Sequence, residues 1–128
     1  MGFRVPFFDA LERRDWWWRA NVFDRMVFLV LFRLACERDG TAWIGGRALS
    51  SRLGPKEGDG GGYYTHDEVI AAYARLEDVG ALKDVSDPAT ERWHYRIVDF
   101  EELANAAHTY RAKYRDANRR RHAKQDVA

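Results

Sequence analysis

Apolar positions recur along this chain with two periods, and the changes of period mark out its elements. From Phe7 to Arg19 the pattern permits a helix starting after Pro6, with Phe7, Phe8, Leu11 and Trp16, Trp17, Trp18 as its large apolar groups. Three adjacent tryptophans cannot share one helix face. The run therefore predicts that at least one of Trp16, Trp17 and Trp18 lies on a partner surface or packs where the chain leaves the helix. Asn21 and Asp24 have the spacing of an N-cap with an acid at the third helical position, and Gly40 closes the run that follows. Residues 22–39 are predicted as a helix whose apolar groups cover more than one face, so it should run through the middle of the core.

Thr41 to Ile44 is short and β-prone, and Gly45-Gly46 ends it. Arg47 to Leu53 is helix-sized, with Ala48, Leu49 and Leu53 on one side, and Gly54-Pro55 stops it. The stretch KEGDGGGYY then holds four glycines, Gly58, Gly60, Gly61 and Gly62, and reads as a flexible loop. Thr65 and Glu68 form a T-x-x-E capping box that opens a helix over residues 66–79, with Val69, Ala72, Tyr73, Leu76 and Val79 at helical spacing. Ala81 to Val85 and Arg92 to Val98 are predicted strands of a hairpin. In the second, Trp93, Tyr95 and Ile97 alternate with Arg92, His94 and Arg96, giving one apolar and one basic face. Asp99 and Glu102 suggest another capped start. Phe100, Leu103, Ala107, Tyr110, Tyr114 and Ala117 then recur at spacings of three and four, which predicts a long amphipathic helix.

The expected fold class is α+β, mainly α. It divides into a Trp-rich helical extension over residues 1–20, a central domain over 21–99 and a basic C-terminal helix and tail over 100–128. At 128 residues the chain can bury a core without disulfide or metal. Cys36 stands alone on an apolar helix and is expected in that core. The longest apolar run, Met26 to Phe32, falls far short of the roughly 18 residues of a bilayer span. The first residues lack the order of a secretory leader. A cytoplasmic protein is expected.

The net charge is +1, but residues 105–128 hold seven Lys/Arg against two Asp, and residues 1–104 are net acidic. Such asymmetry marks an interaction tail, for which nucleic acid is the commonest partner. His66, His94, His108 and His122 show no metal-ligand spacing, and the glycine-rich stretch lacks the Lys-Ser/Thr that a nucleotide site needs. No catalytic residue, metal or cofactor is expected.

The segments WIGGRALSSRLG, THDEVIAAYARLEDVGALKDV and RWHYRIVDF, in the order helix, short strand, helix, helix, hairpin, resemble the winged-helix (helix-turn-helix) domains of bacterial one-domain regulators and of phage and plasmid replication-initiation proteins. The likeness spans about Val22 to Phe100. It implies a DNA-binding transcriptional regulator or replication accessory, with Arg47 to Leu53 as supporting helix and Thr65 to Val79 as recognition helix. Two features depart from the pattern. The stretch from Gly54 to Tyr64 has eleven residues where three or four are usual, and the recognition helix starts His66, Asp67, Glu68, with carboxylates toward phosphate.

By this resemblance and by charge, the candidate DNA contacts are Arg47, Ser50 and Arg52 on the supporting helix; Tyr64, Thr65, His66 and Arg75 at the recognition helix; Lys83, Arg92, His94 and Arg96 on the hairpin; and Arg111, Lys113, Arg115, Arg119, Arg120 and Arg121 in the tail. A solvated face is the alternative for the hairpin and tail groups. Tyr63 and Tyr64 either stack on a base or pin the loop to the core. The candidate protein contacts are Trp16, Trp17 and Trp18, and the stripe Leu103, Ala107, Tyr110 and Tyr114, which suits a homodimer or folds back on the domain. A winged helix that docks another protein without binding DNA is the alternative function, favoured by the acidic start of the recognition helix. No membrane partner is expected.

Overall fold

A computed structural model describes residues 6–56, 61–89, 94–108 and 119–121, and these form helices and three short strands. The helices are α1 (Pro6–Glu12), α2 (Asp15–Arg19), α3 (Val22–Cys36), α4 (Gly46–Leu53) and α5 (His66–Asp78). The strands are β1 (Thr41–Ala42), β2 (Leu82–Asp84) and β3 (Tyr95–Ile97). Residues 100–108 and 119–121 are also helical. The architecture is α+β and mainly helical, and no described helix is long and apolar enough to cross a membrane. Arg92, Trp93, Tyr110, Arg111, Lys113, Tyr114, Arg115 and Lys124 lie outside the described residues.

α3 begins where its cap places it. The Asn21 side chain accepts a hydrogen bond from the Asp24 amide at 2.7 Å, satisfying one of the donors that a helix start leaves open. Val27, Phe28, Leu31, Phe32 and Ala35 form its buried stripe, against which α4, α5 and the sheet pack. The helix ends at Cys36 rather than at residue 39, because Gly40, at φ +88°, donates its amide back to the Ala35 carbonyl and turns the chain into β1. A β-carbon on Gly40 would lie 2.6 Å from the Phe100 ring, so the glycine also lets residue 100 sit against the turn. Cys36 is exposed, contrary to its expected place in the core. The buried stripe passes through Ala35 and leaves position 36 on the outer side of the last turn.

The sheet is antiparallel in the order β1-β3-β2, with Ala42 and Asp84 both opposite Tyr95, and Leu82 opposite Ile97. Tyr95 and Ile97 face the core and Arg96 between them is exposed, the alternation expected of a half-buried strand. β1 and β2 are shorter than the predicted 41–44 and 81–85.

The Trp-rich stretch is two helices, not one. The break falls at Arg14, whose extended backbone precedes α2. Its guanidinium donates to the Ala10 carbonyl at 2.7 Å and pairs with Glu102 at 2.8 Å and Asp99 at 3.3 Å. The kink is thus tied to the start of the 100–108 helix. It settles the three tryptophans: Trp16 packs on Phe28 with ring centroids 4.6 Å apart, Trp17 lies edge-on to Trp16, and only Trp18 is exposed, at 60%.

Candidate nucleic-acid interface

α4 and α5 meet at their N-terminal ends, and the sequence dictates how closely. Gly46 is buried, and a β-carbon there would lie 2.8 Å from the His66 ring and 3.1 Å from its carbonyl oxygen. Any side chain would push the two helices apart. The crossing is fixed further along by the Tyr73 hydroxyl, which donates to the Ile44 carbonyl at 3.2 Å. Burial first, and then the neighbouring Tyr95, push the Tyr73 phenol well above its ordinary range, so it stays a donor.

The start of α5 is held by its capping box. Glu68 N donates to Thr65 Oγ1 at 3.1 Å, and Thr65 N donates to Glu68 Oε1 at 3.2 Å. Lys56 Nζ donates to the same carboxylate oxygen at 2.8 Å, and that bond, with the Thr65 amide, keeps Glu68 below the usual glutamate range. One of the two carboxylates at the start of α5 is therefore paired with Lys56. Asp67, the other, is fully exposed and contacts His66 Nδ1 at 3.3 Å.

The eleven-residue connection is closed at its base. Pro55 bridges to Tyr63, Lys56 N donates to the Gly62 carbonyl at 2.7 Å, and the buried Ser50 hydroxyl donates to the Tyr64 carbonyl. Tyr64 stacks on Phe23 at 4.4 Å. Of the two loop tyrosines, then, Tyr64 pins the loop and Tyr63 stays 61% exposed.

These contacts bring Arg47, Tyr64, Thr65 and His66, all sequence candidates, into one open groove of about 750 Å³, which Tyr63 and Asp67 also line. Arg52 is exposed near the far end of α4, a helix with no acidic residue and no side-chain cap at Gly45. Ser50 is buried and spent on the loop.

Arg75 lies elsewhere. Its Nε and Nη2 each donate at 2.8 Å to a different oxygen of Asp24, which is only 2% exposed, so the guanidinium is turned toward α3. That fork is the first cause of its raised pKa. On the sheet, Lys83 and Arg96 are cross-strand neighbours and both exposed. Arg96 also lines an open groove of about 410 Å³ together with Asp39, Asp99, Glu101 and Glu102. His94 is half-buried. In the tail, Arg119, Arg120 and Arg121 are exposed.

The candidate protein contacts also divide. Trp16, Trp17 and Leu103 belong to the chain's own core, Ala107 is half-buried, and Trp18 is exposed with its indole N–H on the Glu12 carbonyl at 2.8 Å. The Arg25 guanidinium sits over the Trp17 and Trp18 rings at 4.9 and 5.6 Å. Among the described residues no group of three or more His, Cys, Asp or Glu is placed to hold a metal. Comparison with known protein families, with characterised proteins and with solved structures finds no match.

Proposed function

We propose that this is a DNA-binding protein of winged-helix type, a transcriptional regulator or replication accessory that performs no covalent chemistry. The observation that carries the reading is the convergence of α4 and α5. An acid-free helix presents Arg47 beside the N-terminal end of the next helix and exposes Arg52 near its own far end, within the order α3-β1-α4-α5-β2-β3 and the sheet order β1-β3-β2. Phosphate contacts come from Arg47, Arg52 and Lys83 and from the tail arginines. Arg75 and Ser50, already bonded within the domain, take no part. Each phosphate neutralised releases counterions, so affinity should fall with salt.

Fluorescence anisotropy of labelled random duplex, at low and at moderate salt, tests this. Arg47→Ala with Arg52→Ala should weaken binding roughly tenfold and reduce the salt slope by about two. No binding at low salt overturns the reading.

One observation favours the second reading, a protein-docking winged helix. The outer face of α5 presents Asp67, Ala71, Ala74 and Asp78 and carries no cation other than Arg75. A failure to bind DNA would direct attention to that face.

A further inference from the structure

We infer that Tyr63 is a stacking platform for an unpaired base, so that the groove at the start of α5 prefers DNA with a single-stranded stretch to intact duplex. This rests on the DNA-binding reading above and specifies the substrate of the same site.

The tyrosine is exposed on a backbone that is not loose. Its own residue bridges Pro55, the residue before it accepts from the Lys56 amide at 2.7 Å, and the residue after it is held by Ser50 and by the Phe23 ring. An aromatic ring presented this way loses little freedom on stacking, which is the main cost such a contact has to overcome. Its approach is open. Among the described residues nothing lies within 4 Å of where a β-carbon on Gly61 or Gly62 would stand, so a strand meets bare backbone there.

The rest of the groove suits a strand better than a small molecule. It is open rather than enclosed, and it sets the Arg47 cation and the His66 ring beside the tyrosine. Together these make a phosphate anchor next to a stacking face, the combination by which single strands are held with little sequence preference.

The same groove disfavours rigid duplex. Asp67 is fully exposed at the helix start that would have to enter the major groove, and the one arginine of α5 is bonded to Asp24. Two fixed rows of phosphate would meet a fully exposed carboxylate. A gapped strand can bend its backbone toward Arg47 while one base leaves the stack for Tyr63.

The test uses the full chain and labelled duplexes of equal length, one intact and one with a short internal gap, titrated at low salt. Wild type should bind the gapped probe roughly tenfold more tightly, within the range for one stacked base. Tyr63→Ala should abolish the difference between the gapped and the intact probe, and Tyr63→Phe, which keeps the ring, should retain the preference. Equal wild-type affinity for both probes, or a preference that survives Tyr63→Ala, overturns the stacking role while leaving DNA binding standing. No binding of either probe overturns both.

Discussion

Arg75 and Asp24 join α5 to α3 through two parallel hydrogen bonds of 2.8 Å, one from Nε and one from Nη2. The carboxylate is buried, whereas the arginine side chain is 47% exposed. Deleting the cation leaves a buried charge without its partner, so Arg75→Ala should destabilise the fold by about 2 kcal/mol, less than for a wholly buried pair because water reaches half of the arginine. Denaturant unfolding of Arg75→Ala, Asp24→Ala and the double variant checks this, with a non-additive double expected. Once the variant is folded, its DNA affinity should stay within about threefold of wild type, since the guanidinium is not available to phosphate.

Trp17 and Trp18 are neighbours in sequence with opposite environments. Trp17→Ala removes a ring that is 8% exposed and should cost about 3–5 kcal/mol. Trp18→Ala removes one that is 60% exposed and should cost about 1 kcal/mol or less. Thermal melts of the two variants separate core from surface; equal losses would contradict the kink between α1 and α2.

Gly45 and Gly46 make a second contrasting pair. A β-carbon at Gly46 meets His66, including its backbone carbonyl, whereas one at Gly45 meets nothing within 4 Å. Gly46→Ala should therefore destabilise by about 1–3 kcal/mol through overpacking. Gly45→Ala should be near neutral. Because Gly46 sets the groove, a folded Gly46→Ala should also lose DNA affinity while Gly45→Ala does not.

Glu68 sets a pH dependence. Lys56 first, then the Thr65 amide, hold its carboxyl below the ordinary glutamate value, so its folded pKa is depressed. A depressed carboxylate pKa contributes stability that is present above the unfolded value of about 4.5 and is lost as pH falls through the folded value. Glu68→Gln keeps an acceptor for the Thr65 amide but not the charge. The gap in stability between wild type and Glu68→Gln should be open near pH 6 and close toward about pH 3, measured by urea unfolding. A gap that does not change with pH would mean that the Lys56 contact contributes nothing.

α3 and α5 were legible because each carries a local signal. Asn21 with Asp24, and Thr65 with Glu68, start α3 and α5 by bonds within four residues, and Gly40 ends α3 by a bond to Ala35 five positions back. The apolar period placed Val69, Ala72, Tyr73 and Leu76 in the core for the same reason, whereas the apolar groups of α3 covered more than one face and only packing left Val22 and Met26 exposed. Among the candidate contacts, Arg47, Thr65 and His66 were recognisable from their place at helix starts.

What the residues themselves determined, then, is the order of elements, their caps and the basic bias of the tail, since these depend on neighbours a few positions away. The tertiary structure alone decided which charges are left to meet a partner. Arg75 is bound to a carboxylate 51 positions away, and Arg14 to one 88 positions away. Arg96 shares a groove with Asp39 from the turn before β1 and with Asp99, Glu101 and Glu102 from the segment after β3. The same holds for the aromatics: the fate of Trp16, Trp17 and Trp18 followed from a kink held by Glu102, and the division of labour between Tyr63 and Tyr64 from Phe23 and Ser50. Long-range pairing and burial are set by packing between elements, and a local pattern carries no record of which distant side chain will arrive.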